Sequence, residues 1–380
     1  MTRKLVAMIL LSCLATPAVA RDYCRTPFDM PSQEGGKRVH YPANAAVAGP
    51  ILRADLAEGR SSSDPIAALR IYARNFYGLK RTDMPGNSGW VSQRCGPAEL
   101  YQELNQAAQT AVESVRKTYH DKRWFLSADQ WLQQTNQQPG LLNLLLHANL
   151  YDAFEEEALA FLRSAKNDPT AAKLFSDTLG TIQFKTWQLT DYQKRSSHAE
   201  GTLALIPAEQ TGLKRLPGII ERINAVRAEH VAYWLKLEEP RFAKLHKELN
   251  TNEAQKAALL PFNTSAETPI ALAALEQARD VALPENRPAL FALGTKRGEV
   301  LEADGHLWSA EQYYRFAELE DRADAVEQRL NAQQEARGAK VIAELEKTKD
   351  KFLKSESERA AYEEDTDALA DELGIDLDDF

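Results

Sequence analysis

The chain has 380 residues, 44% hydrophobic and 27% charged, the composition of a folded protein of one large or two ordinary domains rather than a disordered one. The net charge is −9, and nine acids near the C-terminus (Glu363, Glu364, Asp365, Asp367, Asp371, Glu372, Asp376, Asp378, Asp379) equal the whole excess. The body is therefore near neutral, with no basic stripe to neutralise phosphates, which argues against a nucleic-acid partner.

Residues 1–20 carry Arg3 and Lys4, then apolar Leu5–Leu11, then Ala18-Val19-Ala20, the order of a secretory signal peptide cut after Ala20. A rival reading takes Leu10-Leu11-Ser12-Cys13 as a lipoprotein signal with Cys13 as the acylated terminus. Either way the expected location is the periplasm or beyond, where disulfides persist. After a cut at Ala20, Cys24 and Cys95 are the only cysteines left, and they are expected to form a structural bridge closing a loop of about 70 residues, worth roughly 4 kcal/mol.

Residues 21–63 hold Pro27, Pro31, Gly35-Gly36, Pro42, Gly49-Pro50, Gly59 and Ser61–Ser63, and read as an irregular arm tied back by the bridge. A helical body is expected over 64–304. Asp64-Pro65 starts its first helix, with Asp as cap and Pro where a missing N–H costs nothing. Leu100, Leu104, Ala108, Val112 and Val115 give the next, ending near His120–Arg123.

Leu141–Leu162 is the densest apolar stretch and reads as one central core helix, too short and too charged at Glu155-Glu156-Glu157 to cross roughly 30 Å of hydrocarbon. Asn167-Asp168-Pro169 opens a further helix through Leu179. Thr181–Ala208 is ambiguous, with a strand conceivable only at Thr202–Ile206. Pro217 is expected to start a helix that Pro240 stops, followed by shorter helices at Phe242–Leu249, Asn252–Leu260, Pro269–Ala282 and Pro288–Ala303. Over 305–361 a long C-terminal helical segment opens at Ser309. It carries a coiled-coil-like seam of Phe316, Leu319, Ala323, Val326 and Leu330, and a kink is expected at Gly338. The fold expected is all-α, a multi-helix array of antiparallel helices with an irregular, disulfide-tethered N-terminal arm.

Catalytic signatures are missing: there is no His-Glu-x-x-His, no Gly-x-Ser-x-Gly, no P-loop and no dinucleotide fingerprint. No cofactor or metal site is expected. His147 and His230 lie on apolar faces and are read as core histidines with one ring nitrogen bonded to backbone. Trp308, Tyr313, Tyr314 and Phe316 read as core aromatics rather than a ligand wall. Leu189-Thr190-Asp191-Tyr192-Gln193 resembles the Leu-Thr-x-x-Gln signature of small periplasmic stress chaperones of the Spy and CpxP type, with looser copies at Leu126–Gln130 and Trp308–Gln312. Ser/Thr-x-x-Gln is also the form of a helix capping box, so the three are read as caps and no functional residue is carried over.

The function expected is that of an exported, non-catalytic helical protein acting through protein–protein contact in the bacterial envelope, as a scaffold, chaperone-like or inhibitor-like subunit, with its partner unknown. The alternatives are an envelope hydrolase whose base is His147, His198 or His230, and a carrier of an apolar small ligand between helices. The acidic tail, 362–380, reads either as a solubilising segment or as a docking peptide presenting Leu369, Leu373, Ile375, Leu377 and Phe380.

Overall fold

A computed structural model describes residues 24, 27–31, 38–77, 79–80, 90–91, 95–119, 140–196, 205–256 and 267–352. The protein is all-α. Eleven α-helices are described, with two short antiparallel strand pairs near the N-terminus: β1 (Phe28–Pro31) with β2 (Arg38–Tyr41), and β3 (Leu79–Lys80) with β4 (Trp90–Val91). The chain divides into two units, residues 1–230 and 231–380.

The first unit begins with α1 (Asn44–Ser61) and α2 (Pro65–Tyr77). Asp64 caps α2 as its sequence requires, its Oδ1 accepting from the Ile66 N–H at 2.9 Å. Within the expected irregular arm, residues 44–61 are instead helical. Pro50 lies inside α1, and burial of Ala48, Leu52 and Leu56 outweighs the backbone hydrogen bond it removes. The Cys24–Cys95 disulfide is present, with Cα atoms 5.2 Å apart.

After α3 (Ala98–Tyr119), the expected central helix is two helices, α4 (Leu141–His147) and α5 (Tyr151–Ser164). All seven residues of α4 are buried, so the apolar stretch does form the centre of this unit. The break falls at Asn149, whose φ is +62°. Asn149 N–H bonds to the Leu146 carbonyl and Leu150 N–H to the Leu145 carbonyl, the paired bonds of a left-handed helix cap, and Asn is among the few non-glycine residues that tolerate that conformation.

Asp168 Oδ1 accepts from Thr170 N–H at 2.7 Å ahead of α6 (Ala171–Ser196), which runs well past the expected end at Leu179. Thr190 is therefore interior to a helix and back-bonds to the Thr186 carbonyl at 2.8 Å, so the capping reading fails there. The tentative strand at 202–206 lies mostly outside the described residues, as does the Ser127 cap.

The helix α7 (Pro207–Lys256) passes through the expected start at Pro217 and the expected stop at Pro240. Its true start has Pro207 at the first position and buried Glu209 reaching back to accept from the Ile206 N–H at 3.0 Å. Leu216, Ile219, Ile223 and Val226 are buried along its part in the first unit. Burial along the helix overrides the interior prolines, which local rules treat as breaks.

The second unit contains the remainder of α7, then α8 (Glu267–Val281), α9 (Arg287–Ala303), α10 (Leu307–Phe316) and α11 (Glu320–Phe352). Phe242, Leu245, Leu275, Leu301, Tyr313, Tyr314, Phe316 and Val326 share one core, which bears out the reading of Tyr313, Tyr314 and Phe316 as core, whereas Trp308 is half-buried and outside that cluster. On α9, Gly294 and Gly298 lie one turn apart, and a Cβ at either would collide with the ring of Phe316 or Tyr314. The expected continuous helix from Ser309 is interrupted at Glu318, φ +58°, and buried Ser309 shares a hydrogen bond with Thr268 at 2.9 Å instead of capping. Gly338 is inside a continuous α11.

Candidate functional site

Three kinds of side-chain grouping could carry function: buried histidines, a polar relay in the second unit, and exposed apolar surfaces.

His147 ends α4 in the interior, where burial first and the Lys185 ammonium second push its pKa down to about 3. Lys185, on α6, is itself fully buried and donates from Nζ to the His147 carbonyl at 3.2 Å. An imidazole held neutral beside a cation is a poor general base. His230 is buried against Phe175, ring centroids 5.0 Å apart, with Nε2 2.9 Å from the Leu162 carbonyl, and burial pushes its pKa down. The backbone-bonded core reading therefore holds for His230. His198 lies outside the described residues.

The relay in the second unit was not foreseen. His246 Nε2 lies 2.5 Å from Asp304 Oδ2 and 3.3 Å from Asn250 Nδ2, and Asn250 Oδ1 lies 2.9 Å from His306 Nε2. The hydrogen bond from His246 holds the Asp304 carboxyl below its ordinary range. Asp304, Gly305 and His306 form the left-handed cap that ends α9, with Gly305 at φ +83°. The relay contains no hydroxyl or thiol that could act as nucleophile. What it does is fasten the α9–α10 turn to α7. Its only local signal is the i, i+4 pair His246 and Asn250.

Among the described residues, Ile270, Val300 and Leu319 are exposed singly along the chain, and exposed apolar side chains recur within one or two turns on α6 and α11. On α6, Phe184 is 43% and Trp187 62% exposed, their ring centroids 5.7 Å apart. On α11, Val341, Ile342 and Leu345 are 58%, 38% and 58% exposed. The first part of α11 behaves differently: Ala323 and Val326 are buried and Leu330 packs on the core, so the heptad-like seam belongs to the fold of its own unit. From 335 to 347 every residue of α11 is exposed.

The candidate docking residues Leu369, Leu373, Ile375, Leu377 and Phe380 lie outside the described residues. Among those described, no helix is long and apolar enough to cross a membrane, and no three His, Cys, Asp or Glu side chains are grouped to hold a metal. Compared with protein-family models, characterised proteins and solved structures, the chain matches none.

Proposed function

We propose that this is an exported, non-catalytic helical protein that works by binding another protein in the bacterial envelope, as a scaffold, chaperone-like or inhibitor-like subunit. The observation that carries the reading is the second half of α11. Val341, Ile342 and Leu345 stand exposed along it. Such a stripe at i, i+1, i+4 is the form that anchors a helix in a partner's groove. The aromatic pair Phe184 and Trp187 is a second surface of the type enriched in binding hot spots. The Cys24–Cys95 bridge supports an oxidising compartment.

The test is affinity purification of the tagged mature protein from its own envelope fraction, beside a Val341→Glu, Leu345→Glu double variant. A partner recovered with the native chain and lost with the variant, at unchanged melting temperature, supports the reading. An identical set of proteins from both removes α11 as the surface.

A further inference from the structure

A cleft of ≈ 570 Å³ in the first unit runs along one face of α3, opposite the α1–α2 turn and the first half of α2. That volume is well inside the range of ligand sites, roughly 300–1,000 Å³.

Tyr72 of α2 lines it while only 3% exposed, its ring lying over Gly59 of α1, where a Cβ would overlap it. The Tyr72 hydroxyl makes no hydrogen bond among the described residues, yet it is not one of the sealed polar atoms and opens onto the cleft. Burial raises its pKa more than the Arg60 charge lowers it, so it stands there as a donor. A tyrosine so buried ordinarily finds a partner for its hydroxyl, and here the partner has to come from the cleft.

The α3 wall is a ladder. Gln106, Thr110, Ser114 and Thr118 follow one another at i, i+4 spacing, all exposed, and the small Ala107 and Ala111 beside them keep the space open. Each step rises about 6 Å, close to the roughly 6.6 Å after which an extended peptide repeats a backbone group on the same edge. Thr110 Oγ1 donates to the Gln106 carbonyl and Ser114 Oγ to the Thr110 carbonyl, both at 3.3 Å, so their protons are turned back to the helix and their oxygens are left as acceptors. Acceptors at that repeat match the N–H groups along one edge of an extended chain, and Tyr72 on the opposite wall matches a carbonyl on the other. The four rungs span about 18 Å, room for about five residues. A volume of this size spread along that length leaves a narrow section, which suits small side chains. The ladder carries no charge, and Arg60 in the lining is bonded to Glu103 at 2.5 Å.

We propose that this cleft binds a short extended segment of polypeptide with small uncharged side chains, its N–H groups donating to Thr110 and Ser114 and one carbonyl accepting from the Tyr72 hydroxyl. The inference does not depend on the α11 surface. It is tested by saturation-transfer NMR on the full chain with the peptide acetyl-Ala-Ser-Ala-Ser-Ala-Ser-amide. The controls are its fully N-methylated form, which has no N–H to donate, and a form with Leu in place of Ser. Transfer to the first peptide and to neither control is expected. Tyr72→Phe removes only the hydroxyl and should weaken binding about fivefold at an unchanged melting temperature, because the fold itself makes no use of that group. Thr110→Trp, on the exposed ladder, fills the cleft and should abolish binding. The Val341→Glu, Leu345→Glu variant should bind the peptide as the native chain does, which separates this site from the α11 surface. No transfer to the peptide, equal transfer to either control, unchanged affinity in Tyr72→Phe or Thr110→Trp, or loss of binding in the α11 variant overturns the proposal.

Discussion

Arg297 grips both carboxylate oxygens of Glu238, Nε to Oε1 at 2.9 Å and Nη2 to Oε2 at 3.0 Å, with its guanidinium 4.2 Å from the centroid of the Phe242 ring. The pair joins α9 to α7 inside the second unit. Glu238 is almost wholly buried, so its charge is tolerable there only because the paired cation answers it.

Replacing Arg297 with Ala strands that carboxylate and should cost about 3 kcal/mol. Replacing both partners, Arg297→Met with Glu238→Leu, should cost much less, because no unpaired charge then remains. Chemical denaturation of the single and double variants measures both. Equal destabilisation by the two would mean that lost packing, rather than the stranded charge, sets the cost.

Glu318 separates α10 from α11 in the left-handed region, where a residue with a Cβ is strained by roughly 1–2 kcal/mol. Its side chain is exposed, so little is lost by removing it. Glu318→Gly should raise stability by up to ~1 kcal/mol, and Glu318→Val should lower it, read from thermal melts.

The bridge closes a separation of 71 residues. Cys24→Ala with Cys95→Ala should lower stability by roughly 4 kcal/mol on the loop-entropy argument, and reductant should shift the native melt by the same amount while leaving the variant unchanged.

His147 gives a pH signature. Its folded pKa, about 3, lies below the ordinary 6.5, so between these values the unfolded chain takes up a proton that the folded chain refuses. Its contribution is fully present above about pH 6.5 and is lost as pH falls toward 3, at no more than ~1.4 kcal/mol per pH unit. His147→Gln should flatten the stability profile across that window relative to the native chain. Parallel profiles would show that His147 is not buried neutral.

Much of this fold is legible locally. Asp64-Pro65 and Asp168 announce helix starts by a mechanism that the hydrogen bonds repeat, and the run Leu141–Leu146 marks a buried centre. Other features are not. Asn149 and Glu318 stop helices by adopting a backbone conformation that ordinary sequence patterns do not flag, least of all for Glu. Pro50, Pro217 and Pro240 look like breaks and are not, because burial along α1 and α7 outweighs one missing hydrogen bond each. The packing around Asn149 is invisible for a different reason: Asn105, Tyr151 and Gly212 are brought together only by the packing of three helices.

The exposed end of α11 is the protein-binding surface proposed for this chain. The most direct measurement places a photo-activated crosslinking residue at Leu345 in cells, with the same residue at Gln328 as a control, since Gln328 is exposed on the part of α11 that packs on its own unit. A discrete adduct with another protein from position 345, absent from 328 and abolished by Val341→Glu, is the result expected. No adduct from 345, or the same adducts from both positions, would contradict the claim.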